Sequence, residues 1–252
     1  MYHVLYLPTD WTPEKQFPVI VEFAGNGSYQ NTFGDTSSGR VEGSNLGYGL
    51  SKGAGFLWLC LPYLNEAGDA NVTQWWGDIP LHSPATTVDY CKKVVPWICK
   101  NYGGDPKRVV LCGFSRGAIA VNYIGLHDDT IASLWCAFIV YSHYDGVIES
   151  WGYPKGDRAS ARQRLTRLGK RPQFILHEYS TISRENLAAT RSYLEMTGFD
   201  LQAIRFSETG FRNHSDAWIL RPSPARMTLR KWLRDVTSAT PKAQAPHDAS
   251  DP

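Results

Sequence analysis

Residues 111–118 read Leu-Cys-Gly-Phe-Ser-Arg-Gly-Ala, a serine between Gly113 and Gly117 straight after an apolar run. A serine hydroxyl is a poor nucleophile at its own pKa and attacks a carbonyl only when a neighbouring base takes its proton. The pattern G-x-S-x-G is what a sharp strand-to-helix turn needs. Small flanking residues let strand and helix approach, and the serine projects its Oγ from a strained backbone. Ser115 is thus a candidate nucleophile, with an ordinary turn serine as the alternative. The base it needs is a histidine arriving after the last strand. His214, in Asn213-His-Ser-Asp216, is in that place, and the only later histidine is His247. A third group must fix the imidazole tautomer and stabilise its charged form. Two carboxylates are placed for this. Asp145 lies in a loop beside Gly146, just past an apolar run, and is favoured. Glu178 ends the run Gln173-Phe-Ile-Leu-His177 and is the alternative acid, because the loop after it, Tyr179 to Ser183, holds no carboxylate. Asp216 is too close to His214 to orient it and is expected to face solvent or cap the next turn. An acyl-transfer centre also needs two N–H donors for an oxyanion. The amide after the nucleophile, Arg116, is one candidate. Asn26, between Gly25 and Gly27, is the other, with a plain Asn-Gly turn as its alternative reading.

The elements that would carry these residues alternate along the chain. Buried-strand patterns occur at Phe17 to Ala24, Gly55 to Leu61, Arg108 to Cys112, Leu134 to Tyr141, Gln173 to His177 and Leu201 to Phe206, with a weak edge strand at Tyr2 to Leu7. Helical spacing runs from Thr86 to Tyr102, with Pro96 late in it, and recurs at Ala118 to Leu126, Ser160 to Leu168, Ser183 to Thr197 and Pro224 to Val236. Strand–helix alternation predicts a mostly parallel sheet covered on both faces. Ligands bind such sheets outside the carboxyl ends of the strands. Gly25-Asn26-Gly27, Ser115, Asp145, Glu178 and His214 all follow strand ends. The stretch Ser28 to Gly53 is polar, glycine-rich and long for a plain connection, and long loops in compact domains are often functional. One domain over 1–236 is expected, with a disordered Ala/Pro/Ser/Asp-rich tail over 237–252.

Composition narrows the partners. The 252 residues are 42% hydrophobic and 20% charged, with a net charge of +2. That charge is too small to predict binding to nucleic acid or to an anionic membrane. No apolar run is long enough for a transmembrane helix. The five cysteines, Cys60, Cys91, Cys99, Cys112 and Cys136, have no metal-ligand spacing, and neither metal nor cofactor is expected. Cys91 and Cys99 fall about 12 Å apart on one helix, too far to bridge. Buried free thiols and the lack of a leader pattern predict a cytoplasmic protein, or a secreted or periplasmic one should a leader precede this sequence.

The elbow Gly113–Gly117, the glycine turn Gly25–Gly27 and the late His214 make the chain resemble the α/β-hydrolase superfamily over roughly 1–236. The lead-in Asp105-Pro-Lys-Arg-Val-Val-Leu-Cys-Gly-Phe-Ser115 and the opening Tyr6-Leu-Pro with Phe17-Pro-Val-Ile-Val21 are similar to its polyhydroxybutyrate-depolymerase and feruloyl-esterase-like branch. Two departures stand out: Ala24-Gly25 replaces a His-Gly, and the usual acid loop lacks its Asp. The resemblance implies an α/β-hydrolase fold and a cofactor-free serine hydrolase acting on carboxylic esters, small or saccharide-linked. A serine peptidase on the same scaffold and a non-catalytic binding protein of hydrolase descent are the alternatives. Trp76, Tyr144 and Trp218, with Trp75 and Trp151, are candidate pocket walls for sugars or phenolic acyl groups, against plain packing. Arg116 is expected to bind a substrate carboxylate or to pair with a protein one. His143 and His177 end strands beside the two candidate acids, as pocket or structural histidines. The oligomeric state is left open.

Overall fold

In the computed structural model, residues 1–179 and 186–238 are described. The chain forms β1 (Val4–Tyr6), β2 (Phe17–Phe23), a hairpin of β3 (Tyr29–Gln30) and β4 (Thr36–Ser37), and α1 (Leu46–Ser51). Next come β5 (Leu57–Leu61), a second hairpin of β6 (Tyr63–Leu64) and β7 (Asn71–Val72), and α2 (Ala85–Tyr102). The remainder is β8 (Gly104–Phe114), α3 (Arg116–Tyr123), α4 (Asp129–Ala132), β9 (Ala137–Tyr141), α5 (Arg158–Leu165), β10 (Gln173–His177), α6 (Leu187–Thr197), β11 (Ile204–Glu208) and α7 (Pro224–Thr237). Seven strands make one sheet in the order β1-β5-β2-β8-β9-β10-β11. All its pairings are parallel except β1 with β5.

The buried strands read as near-continuous apolar runs because both faces are covered. In β2, Val19, Val21 and Phe23 point to a core shared with α2 and α3, and Ile20 points to the opposite core, under α1 and α7. The same alternation splits Val109 and Leu111 from Val110, Cys112 and Phe114 in β8. α2 lays Val88, Cys91, Val95 and Ile98 on the first core and runs through Pro96. α7 seals the second with Leu229, Trp232 and Leu233.

Several expectations change in detail. The elbow strand β8 begins at Gly104 rather than Arg108. The last strand, β11, is shifted to Ile204–Glu208, after a short 3-10 turn at Leu201–Ala203. The helix expected from Ser183 is described from Leu187, and the expected tail lies outside the described residues from 239 onward. The stretch Ser28–Gly53 is not one long loop: it contains the β3–β4 hairpin, a 3-10 turn and α1. All five cysteines are unpaired, and only Cys136 is not fully buried.

Candidate active site

Ser115 sits between the end of β8 and the start of α3 with φ 56° and ψ −119°. A side chain rarely adopts this region, so the turn stores strain that the packing around it must hold. The flanking glycines have a steric cause. A Cβ on Gly113 would run into the Gly117 carbonyl, and one on Gly117 into the Phe23 carbonyl of β2. The Ser115 amide donates to the Tyr141 carbonyl at the end of β9, 3.0 Å away. The hydroxyl is thereby aimed at the crest of the sheet.

His214 comes from the segment after β11. Its Nε2 is 3.1 Å from Ser115 Oγ and its Nδ1 2.8 Å from Glu178 Oε1. Sequence separations of 99 and 36 residues thus close into one line of contacts. Glu178 lies directly past β10 and is largely buried. Burial pushes its carboxyl up, but the hydrogen bond and charge of His214, with lesser help from Ser142, hold it below its ordinary value. Ser142, just past β9, reaches both partners: its Oγ lies 3.1 Å from Glu178 Oε1 and 2.9 Å from His214 Nδ1. A proton on Nδ1 leaves Nε2 able to accept from Ser115, the arrangement a general base requires. Around the imidazole stand the rings of Phe114, Tyr29 and His143, with centroids 4.8, 5.1 and 5.2 Å away.

The favoured acid is corrected. Asp145 does not reach His214. Its oxygens are taken by Arg164 Nε at 2.8 Å, Arg164 Nη2 at 3.0 Å and the Tyr153 hydroxyl at 3.1 Å. Gly146, at φ 87°, turns the chain behind Asp145, and a Cβ there would strike Tyr193 and Ala161. Burial pushes the Asp145 carboxyl up against the pull of Arg164. Asp216 neither faces solvent nor caps the next turn, a place that Ser215 takes. It is buried, and its two oxygens accept from the Asn45 amide and side chain at 3.1 and 2.8 Å.

Asn26 follows β2, next to the elbow strand, and its Oδ1 accepts from the Trp75 amide at 3.0 Å. Arg116 opens α3, and its amide, as the first of that helix, has no acceptor within the helix. Its side chain serves neither expected role. It is 1% exposed and, among the described residues, its hydrogen bonds go to carbonyls rather than to a carboxylate. It donates to the carbonyls of Trp75 at 2.7 Å, Gly25 at 2.9 Å and Gly39 at 3.3 Å, with the guanidinium 3.8 Å above the Tyr63 ring. Burial pushes its pKa down to about 10. It ties three loops together.

The three candidate pocket aromatics are corrected too. Trp76 is 0% exposed, Tyr144 2% and Trp218 3%, and each is packed into a core. Tyr144 donates to Gln173 Oε1 at 2.8 Å. Half-buried Trp75 and Trp151 pack edge to face, and Trp151 lies against His143, itself beside His214. This path of rings leads away from the imidazole. His177 is structural: it is buried, its Nε2 lies 3.0 Å from Thr190 Oγ1, and burial pushes its pKa down to about 4. Sequence reading missed Ser142, Tyr29 and Glu22. Only Glu22 left a signal, as the one charged residue inside Phe17-Pro-Val-Ile-Val-Glu-Phe23. Among the described residues no three His, Cys, Asp or Glu side chains gather as a metal ion would need.

No protein-family model matches the sequence, and no curated protein matches it. Solved structures do. A thermophilic esterase from the planctomycete Thermogutta terrifontis is similar at 18% identity and TM-score 0.55, over 96% of this chain and 90% of that one. An acetyl ester-xyloside bifunctional hydrolase from Caldicellulosiruptor lactoaceticus is similar at 16% identity and TM-score 0.57, over 93% and 87%. A dipeptidyl peptidase 4 from Porphyromonas gingivalis is similar at 15% identity and TM-score 0.56, over 92% of this chain but 33% of that one. Identities this low speak for architecture alone, and the architecture they share with this chain is the α/β-hydrolase fold.

Proposed function

We propose that this chain is a serine hydrolase of carboxylic esters that works through an acyl-enzyme on Ser115. The observation that carries the proposal is the line Ser115 Oγ–His214 Nε2–His214 Nδ1–Glu178 Oε1, at 3.1 and 2.8 Å, on a serine held at φ 56°. In this reading Ser115 Oγ attacks the ester carbonyl carbon as its proton passes to His214 Nε2. Glu178 keeps the other imidazole nitrogen protonated and stabilises the charge that forms. The amides of Arg116 and Asn26 receive the oxyanion. Collapse of the tetrahedral adduct expels the alcohol, which takes the proton from His214. Water then repeats the sequence on the acyl-serine, releasing the acid and restoring the hydroxyl.

The ester class is supported by two features. The half-buried Trp75 and Trp151 lie along the ring path from His214, and flat aromatic faces suit sugars and phenolic groups. One similar structure is a hydrolase of acetyl esters, and another Thermogutta terrifontis esterase structure is phosphonylated by sarin. A peptidase is the second reading, favoured by the dipeptidyl peptidase likeness. The polyhydroxybutyrate-depolymerase and feruloyl-esterase-like branch keeps only its sequence support, in 105–115 and 6–21. Ser115→Ala tests the proposal. We expect loss of short-chain aryl-ester hydrolysis with unchanged unfolding. Full activity in that variant rejects the ester hydrolase. Peptide cleavage by the wild type without ester cleavage moves the assignment to peptidase.

A further inference from the structure

We propose that Ser142 is a positioning residue for this reaction, its hydroxyl locking Glu178 and His214 into the one proton arrangement that leaves Nε2 bare toward Ser115. The inference rests on the hydrolase reading above. Three atoms, Ser142 Oγ, Glu178 Oε1 and His214 Nδ1, form a triangle with sides of 3.1, 2.9 and 2.8 Å. Ser142 has one proton and two neighbours that could take it. A hydrogen bond to an ionised oxygen is the stronger, so the proton goes to Glu178. The lone pairs of Oγ are then left facing Nδ1, which is favourable only when Nδ1 itself carries a proton. A protonated Nδ1 in a neutral imidazole makes Nε2 the acceptor. Nε2 is the atom 3.1 Å from the Ser115 hydroxyl.

Two further features separate this serine from an incidental contact. Its φ is 88°, in the region that side chains rarely adopt. A glycine would hold this backbone without strain, so what the serine adds is the hydroxyl. The residue is also pinned: it is 1% exposed, and its amide donates to the Leu176 carbonyl of β10 at 2.8 Å. Glu178 depends on it, since the other carboxylate oxygen, Oε2, is buried with no hydrogen-bond partner among the described residues. The titratable groups around the pair among the described residues include His143, beside the imidazole, His177, next to Glu178 in the chain, and the ring-bearing Tyr29 and Tyr141.

The test is the rate at which a fluorophosphonate labels the serine, measured against pH, which needs no knowledge of the natural ester. We expect Ser142→Ala to label about tenfold more slowly than the wild type. The acid limb of its profile moves to higher pH, because Glu178 has lost a donor that favours its ionised form. Ser142→Gly, relieved of the strain, melts no lower than Ser142→Ala and labels as slowly. A merely structural role predicts the reverse, with the glycine variant the faster. Wild-type rate and profile in Ser142→Ala overturn the inference, as does recovery of the rate in Ser142→Gly. Ser115→Ala is run alongside. If it still labels, the hydrolase reading fails and Ser142 falls with it; if it is inert, the Ser142 variants decide this point alone.

Discussion

At the scale of single residues, the two carboxylates that could serve His214 have opposite fates. Glu178 accepts from the imidazole, whereas Asp145 is locked to Arg164. Their isosteric amides should therefore fail in different ways. Glu178→Gln should leave unfolding nearly unchanged and lower kcat by about 10³-fold or more, since a neutral amide no longer holds the productive tautomer. Asp145→Asn should leave kcat of the folded protein near wild type but cost about 3–5 kcal/mol of stability, because it strands a buried guanidinium. Urea unfolding and turnover on one aryl ester check both, and a large kcat loss in Asp145→Asn with normal stability reverses the assignment. Ser115 was legible in the sequence because it stands where an apolar strand pattern stops, and His214 because it is the histidine that follows the last strand. The acid was not. Asp145 beside Gly146 reads as a carboxylate that can turn toward an imidazole, and its partner Arg164 lies 19 residues on, in a separate helix. Sequence does not say how far Glu178, fixed at a strand terminus, can reach.

At the scale of elements, the sheet was legible because its strands are continuous apolar runs, and the stretch 28–53 was not, because its pieces are too short to show a period. Two-residue strands and the six-residue α1 carry no repeat to read. Neither could the sequence tell Trp75, half-buried, from its neighbour Trp76, in the core. What holds these irregular pieces is the Arg116 side chain, which joins the Gly25 turn, the Gly39 segment and the Trp75 loop. Trp75 is held at φ 48°, with its amide bound by Asn26 and its carbonyl by Arg116. Arg116→Lys keeps the backbone amide and the charge but loses the planar fork that serves several carbonyls at once. We expect it to slow ester turnover by about tenfold and to cost roughly 1–3 kcal/mol. Any loss of rate acts through loop placement, since the backbone amide proposed to receive the oxyanion is unchanged. Wild-type turnover in this variant would show that the three loops hold their places without the fork.

At the scale of the whole molecule, the second core contains a carboxyl that makes its stability depend on pH. Glu22 of β2 is buried beneath α1, where Leu46 N, Gly47 N and Trp58 Nε1 donate to it at 3.0, 2.8 and 2.9 Å. Burial, helped by the charge of Asp216, pushes its carboxyl up to about 8 against those donors. In the unfolded chain a glutamate has ionised by about pH 5. Between pH 6.5 and 8 the folded chain therefore holds more protons at this site than the unfolded chain, and stability falls as pH rises, by at most ~2 kcal/mol across the window. His177, lowered to about 4, acts with the opposite sign, mainly below the ordinary histidine pKa of about 6.5 and only weakly inside the window. Asp216, raised to about 6, has completed most of its change below the window and adds to the decline only at its lower edge. Urea unfolding at the two pH values should show the decline in the wild type and a flat line in Glu22→Gln, whatever that variant's absolute stability. A decline that persists in Glu22→Gln assigns the slope to another group.

The way the three site residues are spread along the chain has a consequence in time. Ser115, Glu178 and His214 hang from three different strands, and His214 precedes only a 3-10 turn at Asp216–Leu220 and α7 among the described elements. On a ribosome the elbow emerges about a hundred residues before its imidazole, so a growing chain presents a serine with no base. In the proposed mechanism chemistry waits until the sheet is complete to β11, so the reactivity of this one hydroxyl would report that the sheet has closed around it.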